Sequence, residues 1–170
     1  MKTQTLKILL VLSVCLTAFG CSYLPQTKSD SDILGIKLGT SETEARKRLN
    51  ELGRLDREES RQQEIWTLNN DPHYSHLILA FDKENQSVRY ITVKARENGT
   101  PVQYRDVVDL EKAKQISSAG NYKYVQEIEG SLTISGYIKT ASGKDTNNLT
   151  YYSLKKLNSS EEEEEEEEDE

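Results

Sequence analysis

Apolar positions along this chain fall into three regimes. From Ile8 to Phe19 they are nearly continuous (ILLVLSVCLTAF). From Ile33 to Leu157 they alternate with polar positions in short runs. From Ser159 to the end there are none. The middle regime carries the fold. Leu34, Ile36 and Leu38 alternate and predict a short strand, which Gly39-Thr40 breaks. Ser41-x-x-Glu44 is a capping box, and Ala45, Leu49 and Leu52 then fall on one face of a helix. Gly53 is expected to end that helix as a C′ residue. Glu64 to Leu68, His76 to Phe81 and Val88 to Ala95 read as three strands of a meander. Asn69 to Tyr74 and Asp82 to Gln86 supply the connecting loops.

The second half predicts the same order. Asp106 to Ser117 (DVVDLEKAKQIS) reads as a helix with Asp106 as N-cap and Val107, Leu110, Ala113 and Ile116 as its inner face. Gly120-Asn121 stops it. Tyr122 to Ile128, Leu132 to Ala141 and Leu149 to Leu157 follow as strands. The expected fold class is α+β, with two helices packed on antiparallel β-meanders. Residues 33–158 form either one α+β domain or a tandem of two helix-plus-three-strand units, 33–97 and 104–158.

The flanking regimes say where the protein resides. A bilayer-spanning helix needs roughly 20 apolar residues, so residues 8–19 are too short for a span. With Lys2 and Lys7 ahead of them they read as a signal peptide over residues 1–20. The signal ends in Ala18-Phe19-Gly20-Cys21, which resembles a bacterial lipobox cleaved between Gly20 and Cys21. Cys15 lies inside the signal, so Cys21 would be the one cysteine of the mature chain. A lone thiol is unusual in an oxidising compartment, whereas an acylated one is consumed. Ser22 replaces the Asp that resembles an inner-membrane retention signal. The expected location is the outer membrane, lipid-anchored through Cys21 and facing the periplasm. Residues 21–32 form a flexible tether and residues 159–170 a disordered acidic tail.

Charge changes the picture in one respect. The chain has a formal net charge of −7, from 22 basic and 29 acidic residues. Ten of the acidic residues are 161–170, and Lys2 and Lys7 precede Cys21. Residues 21–160 are therefore close to neutral. The basic run Arg46 to Arg61 is interleaved with Glu51, Asp56, Glu58 and Glu59, so it reads as a solvated surface and not as a nucleic-acid patch.

Chemistry is sparse. The sequence holds no Gly-x-Ser-x-Gly, P-loop or Gly-x-Gly-x-x-Gly motif. His73 and His76 are its two histidines, and no third strong ligand accompanies them. No metal, cofactor or catalytic residue is expected. The aromatic residues are more suggestive, since Tyr and Trp favour interfaces. Tyr74, Tyr104, Tyr137, Tyr151 and Tyr152 belong to this set. Trp66, Tyr90, Tyr122 and Tyr124 are the candidate interaction surface.

One stretch carries a resemblance. Ile36-Lys37-Leu38-Gly39-Thr40-Ser41-Glu42-Thr43-Glu44-Ala45-Arg46-Lys47-Arg48-Leu49, with Gly53, Trp66 and Leu77 to Asp82, resembles the SmpA/OmlA (BamE-like) envelope lipoproteins and the related beta-lactamase-inhibitor-like fold. The likeness covers about residues 33–95. It departs from the pattern after residue 100 and lacks a Pro shortly after Gly53. It implies a non-catalytic protein-interaction or accessory assembly module with a protein partner. The alternatives are an inhibitor or sensor of another periplasmic protein, or an enzyme with an unrecognised site. Replacing Cys21 with Ala should block processing and release the protein from membranes, as read by fractionation. A variant that stays with the membrane refutes the anchor.

Overall fold

A computed structural model describes residues 32–59, 63–131 and 134–157. The signal segment, Cys21 and the acidic tail lie outside them, as does the tether up to residue 31. The described chain is dominated by one eight-stranded antiparallel sheet.

The chain enters through a small hairpin, β1 (Asp32–Ile33) and β2 (Ile36–Lys37). Leu34 and Gly35 form its turn, both at positive φ (57° and 80°). The alternation expected over Leu34, Ile36 and Leu38 is therefore broken. Ile33, Ile36 and Leu38 are the buried residues, and Leu34 lies at the bend.

Helix α1 spans Glu42–Leu52. Ser41 Oγ accepts from the Glu44 N–H at 3.4 Å, and Ala45 and Leu49 are fully buried. The helix start is tied to the sheet, because the Glu42 N–H donates to the Gln86 carbonyl at 2.9 Å. Gly53 ends the helix for a reason other than the one its position suggests. Its backbone is extended, not left-handed. The chain there passes so close to β4 that a Cβ would collide with the Thr67 carbonyl oxygen. Glycine is required by close approach.

That approach begins β3 (Gly53–Glu59), an edge strand that the hydrophobic pattern does not show, because Arg54 to Glu59 are all exposed. It pairs with β4 (Gln63–Leu68), which continues to β5 (Tyr74–Phe81) and β6 (Val88–Ala95). The second half is another four-stranded meander: β7 (Lys114–Ser118), β8 (Asn121–Ser131), β9 (Ile134–Gly143) and β10 (Tyr151–Lys156). The sheet order is β3-β4-β5-β6-β10-β9-β8-β7. The two meanders thus join through their last strands, with Leu154 opposite Ile91 and Tyr152 opposite Val93.

The fold class expected from sequence is corrected here. Among the described residues there is one α-helix, not two. Residues 106–117 instead contain the end of a 3-10 turn (Tyr104–Asp106), a single turn closed by the Ala113 N–H on the Asp109 carbonyl, and strand β7. The supposed inner face explains the failure. Leu110 and Ile116 are 44% and 46% exposed, while Val108 is buried. Ser118-Ala119-Gly120-Asn121 closes the β7–β8 hairpin, with Ala119 and Gly120 both at positive φ (22° and 81°). Two successive positive φ values match the right-handed twist of a hairpin.

One face of the sheet carries the core. Trp66, Leu68, Leu77, Leu79, Ile91, Val93, Ala141 and Leu154 point to it. Helix α1 and the entry hairpin cover its first half. Val102, Tyr104, Val108 and Leu149 cover its second. A buried charge lies under the helix. Glu64 is 2% exposed and accepts the Trp66 indole N–H at 2.8 Å on one oxygen. Its other oxygen accepts from Arg46 Nε at 2.6 Å, and a second Arg46 nitrogen also contacts it. This bond holds the Arg46 pKa above its ordinary value. Arg46 also pairs with Glu42 at 2.8 Å and lies over the Phe81 ring, 5.9 Å from its centroid.

Removing the cation should cost more than removing both charges, since a buried carboxylate left unpaired is costly. Arg46→Ala should destabilise by about 3 kcal/mol, followed through the fluorescence of Trp66 in urea. Adding Glu64→Gln should recover part of that loss. A double variant no more stable than Arg46→Ala would refute the electrostatic account.

Candidate functional site

Strand register sorts the other face into rows. Because side chains alternate, residues opposite one another across the ladder share a face. The first row runs Thr67, His76, Lys94, Tyr151, Ser142, Lys123, Ile116. The second runs Ile65, Ile78, Thr92, Ser153, Thr140, Val125, Lys114. The third runs Gln63, Ala80, Tyr90, Lys155, Ile138, Glu127. All but Ala80 and Thr92 are half-exposed or exposed, so this face carries no second layer among the described residues. Ile65, Ile78, Tyr90, Val125 and Ile138 give it an apolar band. The Thr92 and Ser153 hydroxyls hydrogen-bond at its centre, 2.8 Å apart. Lys94, Lys114 and Lys123 stand around the band, and Lys155 interrupts it between Tyr90 and Ile138.

The four aromatic residues singled out from sequence are not brought together. Trp66 is 2% exposed and belongs to the core. Tyr122 and Tyr124 lie on the covered face, packed against the core, and Tyr124 sits 4.7 Å from the Tyr104 ring. Of the four, Tyr90 alone lies on the open face, where exposed Tyr151 joins it. The residues that sequence reasoning missed are the isoleucines. Their signal was present: Glu64 to Leu68 and His76 to Phe81 are apolar in both phases of the alternation, as expected of strands that offer apolar side chains to both faces.

The covered face holds a cleft of about 520 Å³ between the entry hairpin, the β4–β5 loop and the 3-10 turn. Asp32, Asp71, Asp106, His73, Tyr74 and Lys139 are among its lining residues. Its carboxylates hold the loops in shape. Asp71 accepts the His73 and Tyr74 N–H groups at 2.9 and 2.7 Å. Asp106 accepts the Gln103 N–H at 2.9 Å, and Asp32 that of Gly35 at 3.4 Å. Arg96 fastens the same region from above, donating to the carbonyls of Leu68, Asp71 and Tyr74. His73 faces this cleft while His76 lies on the open face. Among the described residues no group of three His, Cys, Asp or Glu side chains could hold a metal ion. No helix among them is long and apolar enough to cross a membrane.

Burial, aided by the nearby charges of Asp71 and Asp106, pushes the Tyr74 phenol from its ordinary 10.0 up to about 12. Burial also raises Tyr104. Outside the cleft, the N–H groups of Asn147 and Asn148 hold the Asp145 carboxyl below its usual value.

No family model, curated protein or solved structure matches the chain.

Tyr74 gives the cleft an alkaline signature. Its folded pKa lies above the unfolded value, so its contribution is complete below pH 10 and is lost as pH rises towards about 12. Urea midpoints should fall more steeply across that window for the native chain than for Tyr74→Phe. Parallel curves would show that the phenol is not held neutral.

Proposed function

We propose that this chain is a non-catalytic protein-interaction module, carried at the bacterial cell envelope on a lipid at Cys21, and that it binds its partner on the open face of the sheet. One observation carries the reading: Ile65, Ile78, Tyr90, Val125 and Ile138 place apolar side chains on five strands of this face, interrupted at β10 by Ser153 and Lys155, and no layer covers them among the described residues. All five are partly accessible rather than buried, and exposed Ile116 and Tyr151 lie in the adjacent row, so the face offers apolar surface to a partner.

The chemistry around the band describes the partner. Lys94, Lys114, Lys123 and exposed Tyr151 border the apolar side chains and Lys155 stands among them, against one acidic neighbour in the same rows, Glu127, so the complementary surface is a periplasmic protein with apolar and acidic groups interspersed. The band would supply affinity, while the lysines would steer approach and set register. Accessory or assembly function follows from such binding, in line with the SmpA/OmlA resemblance over residues 33–95. Most polar groups of the cleft are committed to its loops, which favours a binding role over catalysis.

The test is capture of partners from membranes by the lipidated chain and by an Ile78→Lys, Ile138→Lys double variant of unchanged thermal stability. A partner retained by the native chain should bind the variant at least about tenfold more weakly, a loss of roughly 1.4 kcal/mol. Recovery of an outer-membrane assembly complex would assign the accessory role. Recovery of a single hydrolase would assign an inhibitor. Equal capture by both chains would overturn the open face as the docking site.

A further inference from the structure

A sheet that does not close has two edges, and each edge strand offers backbone groups to a further strand. Among the described residues the edges are β3 and β7. They differ in how they are protected. β3 carries Arg54, Asp56, Arg57, Glu58 and Glu59 and shifts register between Leu55 and Arg57, so charge and a bulge oppose further pairing. β7 (Lys114-Gln115-Ile116-Ser117-Ser118) has a single charge, no proline and an unbroken register with β8. All its residues are exposed, and Ile116 is the most exposed large hydrophobic side chain among the described residues.

The ladder identifies the backbone groups that β7 leaves over. Alternate residues of an antiparallel strand bond to its two neighbours in turn. The Leu157 N–H donates to the Gly136 carbonyl at 3.0 Å, so residues 136, 138, 140 and 142 of β9 bond to β10. Residues 137, 139, 141 and 143 therefore bond to residues 128, 126, 124 and 122 of β8. That leaves residues 121, 123 and 125 of β8 to bond Ser118, Ile116 and Lys114. The tight turn at Ala119-Gly120 agrees, because a two-residue turn is closed by a bonded pair, here Ser118 and Asn121. Gln115 and Ser117 thus direct their N–H and C=O groups outward from the edge.

We propose that β7 pairs antiparallel with β7 of a second copy, about a two-fold axis at Ile116. The strand itself sets this register. With Ile116 opposite its symmetry mate, Gln115 stands opposite Ser117 of the second copy, and every outward backbone group on both strands finds a partner. Sliding one strand by two residues loses this. It brings in either Ala113, whose N–H is already given to the Asp109 carbonyl, or the turn residue Ala119. The pair at the axis is non-hydrogen-bonded, the kind in which side chains stand closest, so the exposed isoleucines meet. Lys114 falls opposite Ser118. The two lysines lie about 14 Å apart along the strands, beyond a screening length of about 8 Å. Residues opposite one another share a face, so the two eight-stranded sheets continue into one with both open faces on the same side. Two docking surfaces would then stand side by side. That consequence rests on the docking reading, whereas the pairing does not. A contact between two short edges is small against the roughly 1,000 Å² of a stable interface, so the dimer is a transient one.

Sedimentation of the full chain from about 5 to about 200 µM, with detergent micelles in excess, reads the pairing. The native chain should move from monomer towards dimer across that range. Gln115→Pro removes an outward N–H and leaves the β8 ladder intact. It should keep the native thermal midpoint and weaken the dimer at least about tenfold. Mild oxidation reads the register. Cα atoms in a non-hydrogen-bonded pair are about 4.5 Å apart, within reach of a disulfide. Ile116→Cys should therefore link to itself at least about fivefold faster than Ser118→Cys, which faces Lys114. Mass spectrometry separates that link from any made through Cys21. A chain still monomeric at the top concentration, a Gln115→Pro dimer as strong as the native one, or equal rates at 116 and 118 would overturn the proposal. Should Gln115→Pro lower the thermal midpoint, the disulfide rates decide alone. None of these results depends on another protein, so the docking face is judged separately by the capture experiment.

Discussion

The fold hangs on one buried carboxylate. Glu64 sits on the core face of the sheet, where a charge is costly unless every oxygen is satisfied. The Trp66 indole satisfies one oxygen and the Arg46 guanidinium the other. Since Arg46 comes from the helix, the charge on β4 can be buried only when α1 is seated on the sheet. Ala45 and Leu49 supply apolar area, but area alone would tolerate a helix that slides. The bond fixes its position along β4. Arg46 stays near half exposed, with its outer nitrogens towards Glu42 and Glu58, so the network grades from dry to wet across a single side chain.

Once the helix is fixed, the two faces of the sheet have different fates. Helix, entry hairpin and the loops of the second half all gather on the same side. The other side, uncovered among the described residues, keeps side chains that would be ordinary core residues beneath a layer. Isoleucine at positions 65, 78 and 138 cannot be explained by the packing below, because each points away from it. Lys94, Lys114 and Lys123 border these side chains, Lys155 stands between Tyr90 and Ile138, and Glu127 adds a negative charge on the same face. The centre of this face is polar, with Thr92, Ser153 and Lys155 on β6 and β10, and the apolar side chains flank it on either side.

Much of this was legible from residues alone. Ser41-x-x-Glu44 located the helix start, and six of the eight large-sheet strands stand where β-formers alternate. What misled was periodicity without burial. Val107, Leu110, Ala113 and Ile116 recur every third residue, which satisfies a helical template, yet Leu110 and Ile116 are exposed and the segment turns instead. Strand β3 was invisible for the opposite reason. It has almost no apolar residues, being an edge whose charges and bulge discourage further pairing. The candidate surface failed where chemistry was read without facing. Trp66, Tyr122 and Tyr124 are interface-prone residue types, but register sends all three to the covered side.

The order of strands has a consequence for the order of events. β10, between β6 and β9, is the last strand among the described residues and a central strand of the sheet. A chain that emerges N-terminus first can form each meander by local hairpins, but it cannot join them until residue 156 is available. Until then β6 presents Ile91 and Val93 along an unpaired ladder, and the core face is split in two. Closure requires pairing strands separated by more than 50 residues, which is the slow kind of contact. The molecule is therefore most exposed to mispairing in the interval just before its C-terminal strand arrives. A chaperone that shields β6 during that interval would act on yield while leaving the stability of the finished sheet untouched.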